Sequence, residues 1–362
     1  MKVLHVINSM ATGGAEKLIA QSLPAFEKLG IGTGLLLLDG SDHPFLAELR
    51  QKFSGPIYHR GSKSPYSPAH IFRIIPMLSR YDIVHVHLFP SLYWAAAAKW
   101  LSLSGTKLIF TEHNTHNRRR EKPLFKILDR VVYRAYSAIT CITQDAMKAL
   151  AVHMGSDKKL SVVENGIDLE AIEQAVPAQR RTIDASLAES DKLIVMVAGF
   201  RAQKDQHTAI AAMQMLPSHV RLLLVGDGPR KSECMALAKS LGLGDRVIFT
   251  GIRADVPAIL KASDVAVLSS HWEGFGLAAV ESMAAGIPFV ASDVAGLADV
   301  AGGAGILFEK GNADALAKII ERLLSDPEFY KTTAEACRNR ALKYDISRMA
   351  KSFAALYQNI LK

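Results

Sequence analysis

Short apolar runs alternate with helical segments along the whole chain, and this alternation limits the possible fold more than any other feature. The runs are rich in Val, Ile and Leu without polar alternation, which is typical of parallel strands buried on both faces. Because parallel strands need crossover connections, we predict doubly wound parallel sheets covered by helices. The predicted strands are residues 2–8, 33–38, 56–59, 82–88, 107–112, 138–143, 160–164, 193–198, 220–225, 246–250, 264–268, 287–291 and 305–308.

The length of 362 residues suits two such domains in tandem. We predict an N-terminal Rossmann-like domain over residues 1–170 and a C-terminal one over 171–345, with the polar segment 177–191 as linker region. The last helix, within residues 346–362, is expected to pack back on the first domain. Parallel α/β sheets bind ligands at the carboxyl ends of their strands, so we expect the two domains to face a cleft.

Composition narrows the class of protein. A hydrophobic content of 49% and a charged content of 22% are ordinary for a globular protein, and no apolar run could span a membrane. The chain enters its first predicted strand at Lys2, without a signal-peptide pattern, which favours a cytoplasmic location. Three scattered cysteines show no metal or redox spacing and are expected to be buried. No metal, cofactor or nucleic-acid partner is expected.

The net charge of +8 is concentrated in the N-terminal half, most densely between residues 118 and 134. Large apolar residues interleave with basic ones there, so the stretch could hold an anionic membrane surface or a phosphorylated acceptor, or form a solvated helix with an apolar buried face. We expect a peripheral contact with the inner face of the plasma membrane. The basic residues are Arg118, Arg119, Arg120, Lys122, Lys126, Arg130 and Arg134.

The stretch 264–293 has the strongest pattern of a ligand site. It reads as strand, Gly-rich loop, helix and strand, and a Gly-rich loop that opens a helix presents free amides and a positive dipole end to an anion. Glu273 lies just before Gly274 and Gly276, and Glu281 lies eight residues later. As an isolated pair, the first would cap the helix and the second would be solvated. The surrounding glycines favour convergence of both on one ligand.

Three further strand ends in the first half carry candidate residues. Gly13 and Gly14 follow the first strand and allow close approach of a ligand, although a plain turn is equally consistent. His85 and His87 lie on one face of a strand, so metal ligation is possible in principle. No acidic or cysteine partner accompanies them, which favours a core role for His85. His87 is the better ligand contact, and His113 is a second candidate with less weight.

The second half adds cations at strand ends. Arg201 and Lys204 lie at a strand-to-helix turn, where cations oppose the helix dipole but suit a diphosphate. Gly226 begins a dinucleotide-like pattern, but Lys231 occupies its third glycine position, so a redox Rossmann site is disfavoured. Arg253 follows another strand and could lie beside a base or remain a solvated loop charge.

These motifs, in this order, resemble the GT-B glycosyltransferases, and within them the retaining family 4, over essentially the whole chain. The most specific part is Glu273 to Glu281 followed by a Gly-Ile-Pro turn, and the N-terminal glycines are far less specific. The matching landmarks are Gly13-Gly14-Ala15-Glu16, His87, Asn165-Gly166-Ile167-Asp168, Lys204, Val225-Gly226-Asp227-Gly228, Glu273 to Glu281 and Gly286-Ile287-Pro288.

The resemblance implies a role for each matching residue. Glu273 would contact hydroxyls of the donor sugar, Glu281 the ribose hydroxyls, and Arg201 and Lys204 the leaving diphosphate. Catalysis would then rest on stabilising the negative charge that builds on the leaving group. The amides that would hold the sugar and diphosphate belong to Gly274, Phe275, Gly276 and Leu277. From the acceptor domain, His87 and the loop at Gly13 and Gly14 would contribute.

Two positions depart from the family pattern. The family commonly has Arg five residues before the diphosphate Lys, where this chain has Gly199, so Arg201 would have to compensate from a neighbouring turn. The acidic residue after the last Gly-rich turn is usually Glu, and here it is Asp299. The absence of an Asp-x-Asp motif fits a family that usually needs no metal.

The resemblance implies a retaining enzyme that transfers a sugar from a nucleoside-diphosphate sugar, with UDP favoured, to a glycan or lipid-linked acceptor of a bacterial surface polysaccharide. No side chain is identifiable as a nucleophile, so we predict front-face attack assisted by the leaving phosphate. Two alternatives stay open. The acceptor could be a small soluble molecule, or the chain could bind nucleotide sugars without catalysis.

Overall fold

The structure, a computed structural model, describes residues 1–61, 64–115, 120 and 122–362. The described chain divides into two compact units. Unit 1 comprises residues 1–166 and 346–362, and unit 2 comprises residues 167–345. Each unit is built on one parallel sheet, and the chain enters unit 2 once and returns to unit 1 once.

Unit 1 contains a seven-stranded sheet in the order β3-β2-β1-β4-β5-β6-β7. Every pairing in it is parallel, from β1 against β2 and β4 outward to β7. Its strand order reverses direction between β1 and β4, which is the topological switch point where such sheets bind ligands. The strands are β1 Lys2–Ile7, β2 Gly32–Leu37, β3 Ile57–Tyr58, β4 Ile83–His87, β5 Lys107–Glu112, β6 Ala138–Cys141 and β7 Leu160–Val162.

Unit 2 contains a six-stranded sheet in the order β10-β9-β8-β11-β12-β13, again with parallel pairing throughout. Its switch point lies between β8 and β11. The prediction of two tandem doubly wound parallel sheets is confirmed. The strands are β8 Lys192–Val197, β9 Val220–Val225, β10 Val247–Gly251, β11 Val265–Leu268, β12 Phe289–Ser292 and β13 Ile306–Phe308.

Helices connect the strands and cover both faces of each sheet. Those of the N-terminal part are α1 Gly14–Lys28, α2 Pro44–Lys52, α3 His70–Leu78, α4 Ser91–Ser102, α5 Pro123–Val132 and α6 Gln144–Met154. Those of unit 2 are α7 Leu169–Gln174, α8 Arg180–Ile183, α9 Gln206–Ala212, α10 Lys231–Ser240, α11 Val256–Ala262, α12 Leu277–Ala284, α13 Ala295–Ala301, α14 Ala313–Ser325 and α15 Pro327–Ala341. Helix α16, Ile346–Leu361, follows unit 2 and belongs to unit 1. Among the described residues, no helix is long and apolar enough to cross a membrane.

The apolar runs form strands because each side of the sheet has its own core. Alternate residues of β2 divide between the two cores of unit 1: Leu36 packs in one cluster with Leu4, whereas Leu35 packs in the other with Ile7. Successive side chains of a strand point to opposite faces, so a strand covered on both faces must be apolar at every position. This is the physical basis of the pattern that the sequence shows.

Helix α16 is part of the core of unit 1. Tyr357 is fully buried, and its hydroxyl lies 2.6 Å from Nδ1 of His85 on the central strand β4. Phe353 makes an edge contact with Phe26 of α1 at a ring distance of 6.1 Å. The helix therefore covers the middle of the sheet.

The predicted linker region, residues 177–191, is wrong, because this segment lies inside unit 2. The amide of Ala178 donates to the carbonyl of Ala258 at 3.0 Å, and Arg180 pairs with Asp264 at 3.4 Å. A polar composition favours a solvated linker, but the half-buried Arg180 anchors the segment to Asp264, just before the central strand β11.

Candidate functional site

Two strand-end loops meet at the switch point of unit 2. Lys204 lies just after β8, in a 3-10 turn over Ala202–Lys204, and Glu273 lies in the loop after β11. Because β8 and β11 are paired neighbours and parallel, their carboxyl ends lie side by side. The fold therefore brings together two residues that are 69 positions apart in the sequence.

Lys204 and Glu273 form an ion pair in which Nζ of the lysine donates to Oε1 of the glutamate. The side chain of Glu273 is 6% exposed and that of Lys204 is 22% exposed. The hydroxyl of Ser270 donates to the same carboxylate oxygen at 2.9 Å, and Nε2 of Gln203 lies 3.5 Å from the other oxygen. The carboxylate is thus held by three donors. Glu273 does not cap the following helix, which excludes that simpler reading.

Backbone contacts fix the two loops to each other. The amide of His271 donates to the carbonyl of Gln203 at 2.7 Å, and the side chain of Gln203 donates to the carbonyl of Trp272 at 2.8 Å. The hydroxyl of Ser269 donates to the carbonyl of Asp205 at 2.7 Å. These bonds hold the loops in a set geometry before any ligand binds.

Helix α12 begins next to this pair. Gly276 precedes its first residue with a φ of 82°, a left-handed conformation that a side chain would strain. Phe275 is buried and packs edge-on against Tyr344 at 5.3 Å, so the loop cannot collapse outward. Gly296 approaches the loop from α13, and a Cβ there would lie only 2.5 Å from the carbonyl oxygen of Glu273. The first amides of α12, from Leu277 onward, lie at the positive end of the helix.

Glu281 lies in the second turn of α12 and is only 4% exposed. The alternative of a solvated helix residue is therefore wrong. Burial of a carboxylate costs free energy unless polar partners compensate, so a glutamate at this position suggests a function. The donor-binding roles of Glu281 and Leu277 stay predictions.

The structure places Arg201 differently from Lys204. Arg201 is exposed and precedes the 3-10 turn that carries Lys204. Gly199 lies in the same loop after β8, where the amide of Phe200 donates to the carbonyl of Asp227 after β9 at 3.0 Å. The amide of Gly226 donates a hydrogen bond to the carbonyl of Gly251 in β10 at 2.9 Å. The ends of β8, β9 and β10 therefore lie together, with Arg201 on the solvent side.

Arg253 is bound to a neighbour. Its Nε and one terminal nitrogen donate to the two carboxylate oxygens of Asp255 at 2.8 and 2.7 Å. This bidentate bond also lowers the pKa of the Asp255 carboxyl. A base contact by Arg253 would require the pair to open or to present its outer edge.

The loops at the switch point of unit 1 carry the predicted glycines. Gly13 precedes α1 in an extended conformation, and Gly14 is its first residue. Asn8, at the end of β1, donates to the carbonyl of Phe89 at 2.8 Å and accepts from the hydroxyl of Ser91 at 2.7 Å. The loops after β1 and β4 are thereby tied together, as their counterparts are in unit 2.

Four histidines form a contiguous group at this switch point. His5 of β1 lies 3.1 Å from His87 of β4, measured from Nδ1 to Nε2. Nδ1 of His87 lies 3.1 Å from Nε2 of His113, which follows β5. Burial lowers the pKa of His5 to about 3 and that of His113 to about 4, and it holds the pKa of His87 well below its usual value. The group is uncharged at neutral pH.

The predicted ligand contact of His87 stays a prediction, and the structure places this residue inside unit 1. It is 2% exposed, and other histidines occupy both of its ring nitrogens. The strand end is covered by the loops that follow, so the last residue of β4 remains inside. His113, which the sequence ranked second, is half-buried. His5 was missed because an isolated His within an apolar strand carries no local signal.

The prediction for His85 is confirmed, since it is a satisfied core histidine. Its Nδ1 bonds Tyr357 and its Nε2 bonds Thr111, each at 2.6 Å. The nitrogens of His5, His85 and His87 lie within 4.8 Å of one another, a spacing that a metal ion could bridge. Both nitrogens of His85 and of His87 are already hydrogen-bonded, so a metal would have to break these bonds. The metal expectation stays a prediction.

Helix α5 of unit 1 carries part of the predicted basic stretch. It has a polar residue on its buried side and apolar residues on its exposed side. Its buried side includes Asp129, which accepts from Tyr93 and bonds Nε2 of His153 at 2.8 Å. Its solvent side is apolar at helical spacing. The exposed residues are Leu124 at 74%, Ile127 at 67%, Leu128 at 41% and Val131 at 43%.

Basic residues border this apolar stripe. Lys122, Lys126, Arg130 and Arg134 are exposed. Arg120 is turned inward and pairs with Glu112, with only 9% of its side chain exposed, so it is not part of the surface as predicted. Arg118 and Arg119 lie outside the described residues. The predicted reading of a helix with a buried apolar face and a solvated basic face is wrong for the described part of α5.

Comparison with solved structures identifies the class of fold. The crystal structure of Anabaena HepE in complex with UDP and glucose is similar over 99% of this chain and 100% of that chain, with a TM-score of 0.86 at 21% identity. At this level of identity the likeness shows the fold, which is the GT-B fold of glycosyltransferases.

Two family models match the chain one after the other. Glycosyltransferase Family 4 matches residues 12–171, and Glycosyl transferases group 1 matches residues 179–340. The chain belongs to this glycosyltransferase family and is a glycosyltransferase.

Individual relatives use acceptors of different kinds. The chain is 27% identical to N-acetyl-alpha-D-glucosaminyl L-malate synthase of Bacillus anthracis, over 78% of this chain and 75% of the relative. It is 26% identical to the UDP-Gal:alpha-D-GlcNAc-diphosphoundecaprenol alpha-1,3-galactosyltransferase of Escherichia coli, over 77% of this chain and 75% of the relative. Family membership therefore does not decide between a soluble and a lipid-linked acceptor.

Proposed function

We propose that the protein is a retaining glycosyltransferase that moves a hexose from a UDP-sugar to a hydroxyl of a glycan or lipid-linked acceptor in surface polysaccharide biosynthesis. The observation that carries the proposal is the Lys204–Glu273 pair at the switch point of unit 2, beside the N-terminus of α12. The lysine cation and the helix amides would bind the diphosphate, and the adjacent carboxylate would accept hydrogen bonds from the sugar hydroxyls.

The chemistry follows from where charge develops. Breaking the bond between the sugar and the diphosphate builds negative charge on the leaving group, which fixed donors stabilise. Lys204 has three N–H donors and gives one of them to Glu273, so others remain to bind phosphate oxygens. The amides at the start of α12, beginning at Leu277, would hold the remaining phosphate charge. Neutralisation by these groups supports turnover without a metal.

Glu273 suits binding better than nucleophilic attack. A covalent retaining mechanism needs two carboxyl groups about 5 Å apart around the anomeric carbon. The carboxylate of Glu273 is instead bound by Lys204, Ser270 and Gln203, and Glu281 lies in the second turn of α12. We infer front-face attack by the acceptor hydroxyl, with its proton passing to the leaving phosphate.

A UDP-sugar is the favoured donor. HepE was solved with UDP and glucose, and the E. coli relative is named for UDP-Gal. Glu281 would bind the ribose, because its buried carboxylate can accept hydrogen bonds from the two ribose hydroxyls. Gly226 follows β9, and a Cβ there would clash with the carbonyl oxygen of Ala198, so the glycine lets the ends of β8 and β9 approach closely.

A lipid-linked acceptor is favoured by helix α5. An exposed apolar stripe beside basic residues matches the interface between acyl chains and anionic headgroups. Asp129, held by Tyr93 and His153, keeps the helix from turning its apolar side inward. We infer that the protein works as a peripheral protein on the inner face of the plasma membrane.

A soluble acceptor is the second candidate, since the Bacillus anthracis relative is named for L-malate. Under this alternative α5 would have no membrane role. A nucleotide-sugar-binding protein without catalysis is the third reading. Its sequence support was Gly199 in place of Arg, and Lys204 remains in position to bind the diphosphate.

Turnover is the test of the proposal. Purified protein is incubated with labelled UDP-sugars and lipid-linked or soluble acceptors in the presence of EDTA, and release of UDP and the anomeric configuration of the product are measured. We expect UDP release with retained configuration, and a loss of about 100-fold or more in kcat for Lys204→Ala. Glu281→Ala should weaken UDP binding by about tenfold or more.

Lys239→Ala, an exposed lysine on α10, is the matched control and should keep full activity. Thermal melting of each variant shows that the fold is intact. Full activity of Lys204→Ala and Glu281→Ala would overturn the site, and an inverted product would overturn the mechanism. UDP binding without turnover on every acceptor would support the non-catalytic reading.

A further inference from the structure

Three residues other than glycine have a left-handed backbone in the described part of the chain. Leu103, at a φ of 51°, ends helix α4 and is 92% exposed. Leu88, at 64°, and Asp205, at 47°, lie instead in the loops after β4 and β8, at the switch points of the two sheets. A left-handed residue that carries a side chain costs free energy, and such residues are often found at functional sites. Asp205 directly follows Lys204, the proposed ligand of the diphosphate.

Asp205 is the single residue between the 3-10 turn over Ala202–Lys204 and helix α9, which begins at Gln206. Within the turn, the amide of Lys204 donates to the carbonyl of Arg201 at 2.9 Å. A left-handed residue ends a helical run, so Asp205 stops the turn at Lys204 and lets α9 start as a separate helix. The backbone of Asp205 therefore decides from where, and in which direction, the side chain of Lys204 leaves the chain.

Contacts from two directions hold Asp205 in this conformation. Its residue is 8% exposed, and its Oδ2 accepts a hydrogen bond from the hydroxyl of Thr208 on α9 at 2.6 Å. Its carbonyl accepts from the hydroxyl of Ser269 at 2.7 Å, and Nδ1 of His271 lies 3.7 Å from Oδ2. Ser269 and His271 belong to the loop after β11 that carries Glu273. Asp205 thus joins the loop of Lys204 to the loop of its ion-pair partner.

Glycine would adopt the same backbone without strain, so the geometry of this position alone would select glycine. Aspartate tolerates the left-handed region because its short polar side chain can form local hydrogen bonds. It also has fewer alternative conformations than glycine, so less conformational entropy is lost when the loop is ordered. The aspartate at position 205 therefore introduces backbone strain but restricts the loop to fewer conformations.

We propose that Asp205 is a positioning residue that holds Lys204 in the orientation in which its ammonium group meets both Glu273 and the leaving diphosphate. Asp205 acts through the lysine, because its bonds to Thr208 and Ser269 fix the backbone that carries the lysine side chain. A lysine that is held in advance loses less conformational freedom when the diphosphate binds, and this favours affinity. The inference rests on the proposed function, since the diphosphate is the ligand that the lysine would bind.

Hydrogen exchange of the full-length protein tests the positioning without any ligand. Mass spectrometry of peptides that cover residues 199–208 and 269–273 measures the exchange of the backbone amides in the two loops. Asp205→Gly keeps the left-handed backbone but loses the bond to Thr208, so we expect exchange in both segments to be about tenfold faster. Asp205→Asn can keep the backbone and the bond, and it should exchange as the wild-type protein does.

Leu103→Gly is the matched control, because it makes the same kind of change at a left-handed residue on an exposed helix end of unit 1. It should leave exchange in both segments unchanged. Asp205→Gly loses one hydrogen bond but also its backbone strain, so its melting temperature should stay close to that of the wild-type protein. Wild-type exchange in Asp205→Gly would overturn the proposal.

Calorimetric titration with UDP then tests whether Asp205 acts through Lys204. We expect the Kd for UDP to rise about fivefold in Asp205→Gly, because the loop must now be ordered on binding, and to stay unchanged in Asp205→Asn and Leu103→Gly. In the Lys204→Ala background, Asp205→Gly should have no further effect on the Kd. An equal further loss in that background, or a loss that only follows a lower melting temperature, would contradict the proposal. Faster exchange in Asp205→Gly together with a wild-type protein that binds no UDP would reject the proposed function and support the positioning.

Discussion

Lys204 and Glu273 depend on each other for stability. A buried carboxylate that loses its cation is costly, and the partial exposure of Lys204 moderates that cost. In the proposed function the same lysine also binds the leaving diphosphate. The proposal therefore predicts that substitutions at this pair affect both stability and turnover, and that a second substitution can restore one without the other.

We expect Lys204→Ala to lower the unfolding free energy of unit 2 by about 1–3 kcal/mol, because it leaves the carboxylate of Glu273 with only Ser270 and Gln203. Adding Glu273→Gln should recover most of this loss, since an uncharged amide needs no cation. Turnover should not recover. Urea denaturation and UDP release, measured on both single variants and the double variant, test this. A double variant less stable than Lys204→Ala would contradict the coupling.

The sequence indicated Lys204, Glu273 and Glu281 through local motifs but could not identify what holds them. Ser270 and Gln203 carry no motif, and they matter because β8 and β11 are neighbours in space. His5 lies 82 residues from His87, so only the sheet order brings the two rings together. Sequence reasoning finds residues whose chemistry is local, and it misses partners supplied by topology.

At the scale of elements, the sequence left two readings of α5 open, a membrane-binding stretch and a solvated helix with a buried apolar face. An amphipathic helix in a globular protein normally buries its apolar side. In α5 the inner side instead holds Asp129, bonded to His153 at 2.8 Å, and the apolar stripe is exposed, which contradicts the second reading.

We expect α5 to bind vesicles of phosphatidylcholine containing phosphatidylglycerol. Ile127→Ser, at a position that is 67% exposed, should weaken binding by about tenfold, since it removes apolar surface from the acyl region. Lys126→Gln should weaken it mainly at low salt. Co-sedimentation of the protein with vesicles measures both effects.

The matched control is Met235→Ser on α10 of unit 2, at a position that is 49% exposed, which should leave vesicle binding unchanged. Salt-independent binding, or equal loss in the control, would argue against the docking face. Absence of any binding would favour the soluble acceptor.

The strands themselves were predictable because their physics is local. Each predicted run contains or overlaps a strand, and β5 and β9 match their predicted bounds fully. Apolarity on both faces sets the pattern, whatever the partners are. The prediction for segment 177–191 was wrong because composition does not show that Arg180 pairs with Asp264 at the start of the central strand β11.

At the scale of the whole molecule, unit 1 carries a pH-dependent element. The pKa of His5 is about 3 and that of His113 about 4 in the folded chain, and those of His85 and His87 are also lowered by burial. Below the unfolded value of 6.5, the unfolded chain binds more protons than the folded one. Stability therefore falls as the pH drops from about 6.5 towards 3–4.

We expect the unfolding free energy of unit 1 to fall by about 1.4 kcal/mol per pH unit for each of these histidines below pH 6. Trp272→Phe leaves Trp94 and Trp100, both in unit 1, as the fluorescent reporters of its unfolding. Urea midpoints at neutral and acidic pH measure how the unfolding free energy depends on pH. His5→Phe should reduce this dependence by the contribution of one histidine, about 1.4 kcal/mol per pH unit. A midpoint that stays constant between pH 7.5 and 5 would contradict the prediction.

Helix α16 also sets the order in which the protein can mature on the ribosome. The strands of unit 1 are synthesised first, then all of unit 2, and only then residues 346–362. Domains fold as units during synthesis, so unit 2 can form while β4 still lacks the cover of Tyr357 and Phe353. A nascent chain would thus carry a folded unit 2 while the sheet of unit 1 still waits for the helix that covers it.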